Sequence, residues 1–328
     1  MTTAITRRAA LRAAGLAGLG LPALAPAARA QSRFPDRPIT ILVPFPAGGS
    51  TDVVMRALAE VASRHLGQPV VVDNRPGAGS SLGPAAVARA RPDGYLLTQL
   101  PTSAIRLSFI QRMSYDPLRD FTPIVHLTGY LFGIVVPKDS RWQSWADFVA
   151  EAKRRPGALN VGNAGMNGTP HLGTEMLCQR EGIQVTHIPY RGEAESVQAM
   201  LGGHVDAAAT SSLGGVMVTE GRARWLNIWA AQRSAKWPDA PTLEELGHRG
   251  LVLNGPYGLV GPAGMDPAVV ARLHDAFAVA MRDPQHLAVL ERFDMAMDYR
   301  NTADYAAFLR EVVRQEQDMV NRLGLRQG

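Results

Sequence analysis

The sequence predicts an α/β protein built as two lobes with a ligand cleft between them. Three observations lead there: strands and helices alternate from Pro38 to Gln99, the alternation resumes at Gly133, and no low-complexity linker separates the two units. Ile39 to Pro44 is an apolar run of the kind buried on both faces of a parallel sheet. It enters the corner Ala47-Gly48-Gly49-Ser50-Thr51-Asp52, after which Val54, Leu58, Val61 and Ala62 mark one face of a helix over Thr51 to Leu66. Val70 to Val72 reads as a second strand. After Asn74-Arg75-Pro76-Gly77-Ala78-Gly79 a short helix ends near Arg91, and Pro92-Asp93-Gly94 turns the chain into a third strand, Tyr95 to Gln99. A β-α-β-α-β run of this kind implies a parallel sheet with ligand loops at the carboxyl ends of its strands.

The second unit opens with a strand over Gly133 to Val136. Ser144-Trp145-Ala146-Asp147 resembles a capping box for a helix that stops before Pro156-Gly157. Leu159 to Val161 is a short strand leading into a second glycine-rich loop, Gly162 to Pro170, in which Thr169 suits an N-cap and Pro170 the first helical position. Val185 to Ile188 is a strand, Glu193 to Leu201 a helix closed by Gly202-Gly203, and His204 to Ala209 the next strand. In the last third a strand over Tyr257 to Val260 precedes a helix opened by Asp266-Pro267 and another capped by Thr302, with Tyr305, Leu309, Val312 and Met319 on one face. Without a tether between the units, the lobes are expected to be joined by crossing segments.

Composition narrows the function. The 328 residues have room for about two domains, and the apolar fraction of 46% is that of an ordinary globular chain. Of the 34 basic residues, Arg7, Arg8, Arg12 and Arg29 lie in the first thirty positions with no acid, leaving 30 basic against 29 acidic residues from Gln31 onward. That balance offers nothing for a polyanion, and nucleic acid is not expected as a partner. Residues 1–30 read as a Tat-like signal peptide: a twin arginine in Thr6 to Arg12, a weakly apolar stretch, and Ala28-Arg29-Ala30 as the cleavage pattern after Ala30. The stretch is too short and too proline-broken for a membrane span. Cys178 is the only cysteine, so there is no intramolecular disulfide, and the eight histidines are scattered without metal-ligand spacing. Neither metal nor cofactor is expected.

Two glycine corners preceding helix starts, one per lobe, are the features that carry chemistry. A helix N-terminus presents unpaired N–H groups and about half a positive charge, and glycine lets a carboxylate or phosphate approach the backbone closely. Other readings fit less well. Gly77 to Gly83 nearly matches a dinucleotide fingerprint, but Leu82 stands where the third glycine should be. Gly79-Ser80-Ser81-Leu82-Gly83 matches the nucleophile elbow of hydrolases and raises an exported esterase using Ser81 as an alternative; the strand, however, does not run directly into the first glycine. Asp52 is either a site acid or a partner for its own helix's first turn, Asp206 reads as structural, and all five tryptophans read as packing residues.

The motifs PITILVPFPAGGSTD (38–52), GQPVVVDNRPGAGSSLG (67–83), PDGYLL (92–97), SYDPLRDFTPI (114–124), NGTPHL (167–172), VTHIPYRG (185–192), LGGHVD (201–206), PDAPTLEELG (238–247) and GPAGMDP (261–267) span almost all of the chain after residue 37. In them the chain resembles the solute-binding receptors of tripartite tricarboxylate transporters, the Bug family. The resemblance implies a type II periplasmic-binding fold, with one lobe from 32–133 and 252–328 and the other from 134–251. It implies a non-catalytic periplasmic receptor, a monomer, that captures a small carboxylate and delivers it to a tripartite permease; a sensor role without a transporter partner is the other reading. Ligand contacts are expected from Ala47, Gly48, Gly49, Ser50, Thr51 and Asp52, from Ser103 after the third strand, from Asn163, Gly168 and Thr169, and from Thr210 and Ser211. Three departures bear on specificity. Thr210-Ser211 replaces the Asp-Asn of many relatives, which removes an acidic partner for a ligand amino group. Arg106 stands in a region where relatives often carry Asn-Pro, either facing a second carboxylate or solvated at the surface. Pro256-Tyr257 replaces a tryptophan and puts a tyrosine near the cleft.

Overall fold

The computed structural model describes residues 34–325, Val252 and Asn254 apart; the expected export segment lies outside them. Eleven strands and ten α-helices are defined among the described residues. The first sheet begins with β1 (Ile39–Val43), α1 (Ser50–Leu66), β2 (Val70–Asn74), α2 (Leu82–Val87) and β3 (Leu96–Gln99), as the alternation predicts. α1 ends at Gly67, whose φ of 71° is the left-handed C-cap that glycine adopts without a Cβ penalty. α3 (Thr102–Ile110) and β4 (Phe121–Gly129) complete this stretch.

The chain then crosses, in three residues, to β5 (Gly133–Pro137), α4 (Trp145–Arg154), β6 (Asn160–Ala164), α5 (Thr169–Glu181), β7 (Thr186–Tyr190), α6 (Glu193–Leu201), β8 (Ala207–Thr210), α7 (Ser212–Thr219) and β9 (Ala223–Ile228). It returns as β10 (Pro256–Pro262), α8 (Pro267–Ala280), α9 (Pro284–Arg292), β11 (Met297–Arg300) and α10 (Thr302–Leu323). The first sheet has the order β11-β4-β10-β3-β1-β2 and the second β7-β6-β8-β5-β9. Each keeps a parallel core, β2-β1-β3 and β7-β6-β8, as expected. Each also takes antiparallel strands that the alternation does not announce: β10 between β3 and β4, and β5 between β8 and β9.

α1 begins at Ser50, one residue before the sequence reading, and two N-caps also differ from it by one residue. The N-cap of α5 is Gly168, with Thr169 inside the helix, because the Thr169 hydroxyl meets Thr102 Oγ1 at 3.0 Å instead of its own backbone. The N-cap of α10 is Asn301, whose side chain accepts from the Asp304 N–H, while Thr302 Oγ1 donates to the Ile124 carbonyl at 2.8 Å. The capping box at Ser144 and Asp147 is present as read.

All five tryptophans are buried. Trp142, Trp145 and Trp229 pack with Phe148 and Leu172 against the second sheet, and Met319 near the end of α10 joins that cluster. Leu309, Val312 and Val313, earlier in α10, pack with Leu42 of the first sheet and Ile105 of α3, so α10 spans both cores. No helix among the described residues is long and apolar enough to cross a membrane.

Gly215 in α7 makes room for an indole. A Cβ built there would lie 2.0 Å from the Trp237 ring. Gly215→Ala should therefore destabilise the fold by about 1–3 kcal/mol through overpacking, even though alanine is the better helix former by roughly 1 kcal/mol. Urea unfolding would show this as a lower midpoint at unchanged slope.

Candidate functional site

A cavity of about 440 Å³ lies where the carboxyl ends of β1, β3, β6, β7 and β8 face one another across the two sheets. Five helices, α1, α3, α5, α6 and α7, begin at its wall, and their N-cap residues are Gly49, Pro101, Gly168, Gly192 and Ser211. None of the five donates a first-turn N–H to its N-cap side chain. Of the helices that start away from the cavity, α4, α8, α9 and α10 are capped by Ser144, Asp266, Asp283 and Asn301, while the short α2 has no side-chain cap. First-turn N–H groups and the positive ends of helix dipoles are thus gathered at one volume.

One of these positions is taken by the protein itself. Glu193, the first residue of α6, sends its carboxylate across the cavity floor to α1, where Oε2 accepts from the Ser50 N–H at 3.1 Å and the Ser50 hydroxyl at 2.8 Å. Its Oε1 accepts from the hydroxyls of Thr210 at 3.0 Å and Ser211 at 2.5 Å and from the Leu213 N–H at 3.0 Å. The Thr210-Ser211 pair was expected to remove an acidic partner for a ligand amino group. The strand end does lack one, but the corner is not without an acid, because α6 delivers a carboxylate to both hydroxyls.

The expected contacts divide into two groups. Ala47, Gly49, Thr51, Ser103, Gly168, Thr169, Thr210 and Ser211 line the cavity. Gly48, Ser50, Asp52 and Asn163 stand behind it. The Gly48 N–H donates to Asp52 Oδ2 at 3.0 Å, and Asp52 Oδ1 accepts from Arg56 and Asn74, each at 2.9 Å, so this acid organises its own corner. Asn163 is fully buried, its Nδ2 3.4 Å from His187 Nδ1 and its Oδ1 without a partner. Asp206 accepts from the Asn160 N–H at 2.8 Å, a structural bond.

Three further expectations are corrected. Tyr257 does not reach the cavity: it lies buried beneath α1 and donates to the Thr51 carbonyl at 2.8 Å. The aromatic wall is made instead by Phe45, Tyr130, Phe132 and Tyr190, with Tyr130 Oη 2.9 Å from Thr51 Oγ1. Burial pushes the Tyr130 and Tyr257 hydroxyls well above their ordinary pKa. Arg106 is neither solvated nor open to a ligand. It is 1% exposed, bonds Glu316 Oε2 at 2.6 Å, and donates to the Asn167 carbonyl at 2.7 Å. Ser81, the serine at the nucleophile position of that elbow, is buried and donates to the Ala78 carbonyl at 2.7 Å, so it is not presented to a ligand.

Glu193 is the main residue that sequence reasoning missed. An acid in the first turn of a helix reads as a partner of its own dipole; the preceding Tyr190-Arg191-Gly192 loop, which aims it across the cavity, carries no signal of that direction. Among the described residues no cluster of three potential metal ligands occurs.

Two α/β sheets meeting at a cavity lined by strand ends and helix starts define the class of two-lobed solute-binding receptors. The chain belongs to the tripartite tricarboxylate transporter receptor family, whose model matches residues 54–325. A UPF0065 protein of Cupriavidus necator is 44% identical over 313 residues, covering 95% of each chain. Among solved structures, the periplasmic binding protein BugD superposes with a TM-score of 0.85 at 27% identity, covering 90% of this chain and all of BugD. MatC from Rhodopseudomonas palustris with bound malate gives 0.82 at 28% identity over 88% of this chain and all of MatC. An adipate-bound protein of R. palustris gives 0.81 at 26% identity over 89% and 98% of the two chains. The family is one of receptors and BugD is a periplasmic binding protein, and this protein is not an enzyme.

The wall formed by residues 163–170 is held from two sides, and each hold can be tested. Removing one partner of a buried ion pair leaves an uncompensated charge, so Glu316→Ala should cost about 3–5 kcal/mol, whereas the double change Arg106→Met, Glu316→Leu should cost less. Chemical denaturation of the three variants would show the order. On the other side, His171 Nδ1 accepts from the Asn167 N–H at 3.2 Å. Burial, and then the nearby His187, hold the His171 pKa down at about 4. With the unfolded value near 6.5, the folded state binds fewer protons between these limits. Its contribution is full above pH 6.5 and is lost as pH falls through about 4. Unfolding free energy should decline over that window, and His171→Asn, which keeps an acceptor but does not titrate, should flatten part of the decline.

Proposed function

We propose that this protein is a periplasmic receptor that captures a small carboxylate in the cavity between its two sheets and delivers it to a tripartite permease. In this reading residues 1–30 are removed on export after Ala30. The lobes are 32–133 with 252–328, and 134–251, and they act as a monomer. The observation that carries the reading is the contrast in capping: the five helices starting at the cavity have no cap from their own N-cap side chains, although Glu193 accepts from the Ser50 and Leu213 N–H groups, whereas α4, α8, α9 and α10 have such caps. Uncapped N-termini suit an anion without requiring a lysine or arginine. Malate and adipate in two structural relatives support a carboxylate as that anion. Thr51, Ser103, Gly168 and Thr169 are the contacts proposed for it, with Ala47 and Gly49 shaping the wall. The ligand shifts an open–closed equilibrium of the lobes, and the closed form is what docks on the permease.

Thermal unfolding of ligand-free protein against mono-, di- and tricarboxylates, aromatic acids and amino acids tests this. A ligand at a hundred times its Kd should add about 2.7 kcal/mol, a rise of a few degrees in Tm. A saturable rise with one class of carboxylate is expected, and silence with every carboxylate would overturn the reading.

A further inference from the structure

Glu193 bears on which carboxylate the cavity takes. Its two oxygens accept five hydrogen bonds, from the Ser50 N–H and hydroxyl on α1 and from Thr210, Ser211 and the Leu213 N–H on the opposite side. A carboxylate offers about four lone-pair sites. Glu193 is therefore saturated and cannot also pair with a ligand ammonium group. By the same contacts, Ser50 N–H in the first turn of α1 and Leu213 N–H in that of α7 are closed to a ligand anion. Among the described residues, the other charged side chains lining the cavity are Arg191 and Glu195, so this lining carries one cation against two carboxylates. Arg191 is exposed, and its backbone N–H is bonded to Glu195 at 3.1 Å. The rest of the wall is largely apolar, with Phe45, Tyr130, Phe132, Met166 and Tyr190 facing the space.

We infer that Glu193 is a built-in carboxylate filling one anion position of the cavity, and that the protein consequently selects a ligand with a single carboxylate on an apolar body over di- and tricarboxylates. The inference rests on the carboxylate-receptor reading above. A second ligand carboxylate meets Glu193 across a wall of low polarity, with its best donors already committed. A monocarboxylate avoids that repulsion and lays its apolar part against the aromatic side chains.

Matched pairs of acids isolate the effect. Hexanoate and adipate share a six-carbon chain and differ by one carboxylate; benzoate and terephthalate differ in the same way on a ring. Calorimetric titration of the purified protein should find the monocarboxylate of at least one pair bound about a hundredfold more tightly than its partner, the size of a like-charge clash at close range. Glu193→Ser, which frees the Ser50 N–H, should narrow that ratio by at least about tenfold, mainly by strengthening dicarboxylate binding. Glu193→Gln keeps the size and removes the charge, and should narrow it in the same direction. It also serves as the test if the serine variant fails to fold, which thermal unfolding reports. Dicarboxylates bound as tightly as their partners by the unaltered protein, or a ratio that neither variant moves, would overturn the inference while leaving the receptor reading intact. Absence of binding by all four acids in all three proteins, together with silence in the wider carboxylate panel, would remove the receptor reading and this inference with it.

Discussion

Unpaired N–H groups at helix starts are the constraint around which this molecule is arranged. Parallel strands send their following helices off from the same edge of a sheet, so each sheet concentrates its helix N-termini at one end. Here the two edges face each other, and five helix starts converge on one cavity. Where a helix begins at the outer surface, Ser144, Asp266, Asp283 or Asn301 satisfies it locally. At the cavity, glycine or proline at Gly49, Pro101, Gly168 and Gly192 withholds that solution, and the requirement passes to whatever enters the space. Glu193 meets part of it from inside the chain and in doing so bonds the first sheet's α1 to the second sheet's α7.

A second set of ties lies at the edge of this region. Arg106 on α3 reaches the Asn167 carbonyl in the loop before α5, and Glu316 on α10 balances its charge in a buried pair. Thr102 and Thr169, at the starts of α3 and α5, are in hydroxyl contact beside it. α10 is the element suited to anchor this, because its apolar face contributes to the cores of both sheets. The 163–170 wall is thus fixed on one side by Arg106 and on the other by His171, and the loop that presents Gly168 and Thr169 has little freedom of its own.

How much of this the sequence announced depended on whether polarity followed burial. β1, α1, β2 and the strand–helix order of both sheets were legible because their apolar residues recur at the period of the element. α3, β4 and β9 were not, and each carries a buried polar residue that breaks the pattern: Arg106 in α3, His126 and Thr128 in β4, Asn227 in β9. Those in α3 and β4 are satisfied by groups far along the chain, whereas Asn227 Oδ1 accepts from the nearby Trp229 indole. Glu316 serves Arg106, while the Asp298 and Ala296 carbonyls serve His126 and Thr128. The glycine corners were visible because glycine itself marks where backbone must come close. Glu193 was not, since its main partner on α1 stands 143 residues away and its own position fits an ordinary helix start.

Recognition through backbone N–H groups, as proposed above, would also explain why a chain of this family shows its class more readily than its ligand. The donors at a helix start are the same whatever side chains surround them, so discrimination falls on the few side chains that subtract donors, add charge or shape the wall. Position 210–211 illustrates the trade. Where the family pattern often has an acid on the strand end, this chain has two hydroxyls, and an acid from α6 bonds both of them at 3.0 and 2.5 Å. The corner keeps a carboxylate, but one delivered from α6 and committed to α1 rather than left free to meet a ligand. The same negative charge, held by five donors instead of exposed to solvent, changes from a contact offered to the ligand into a boundary on its charge.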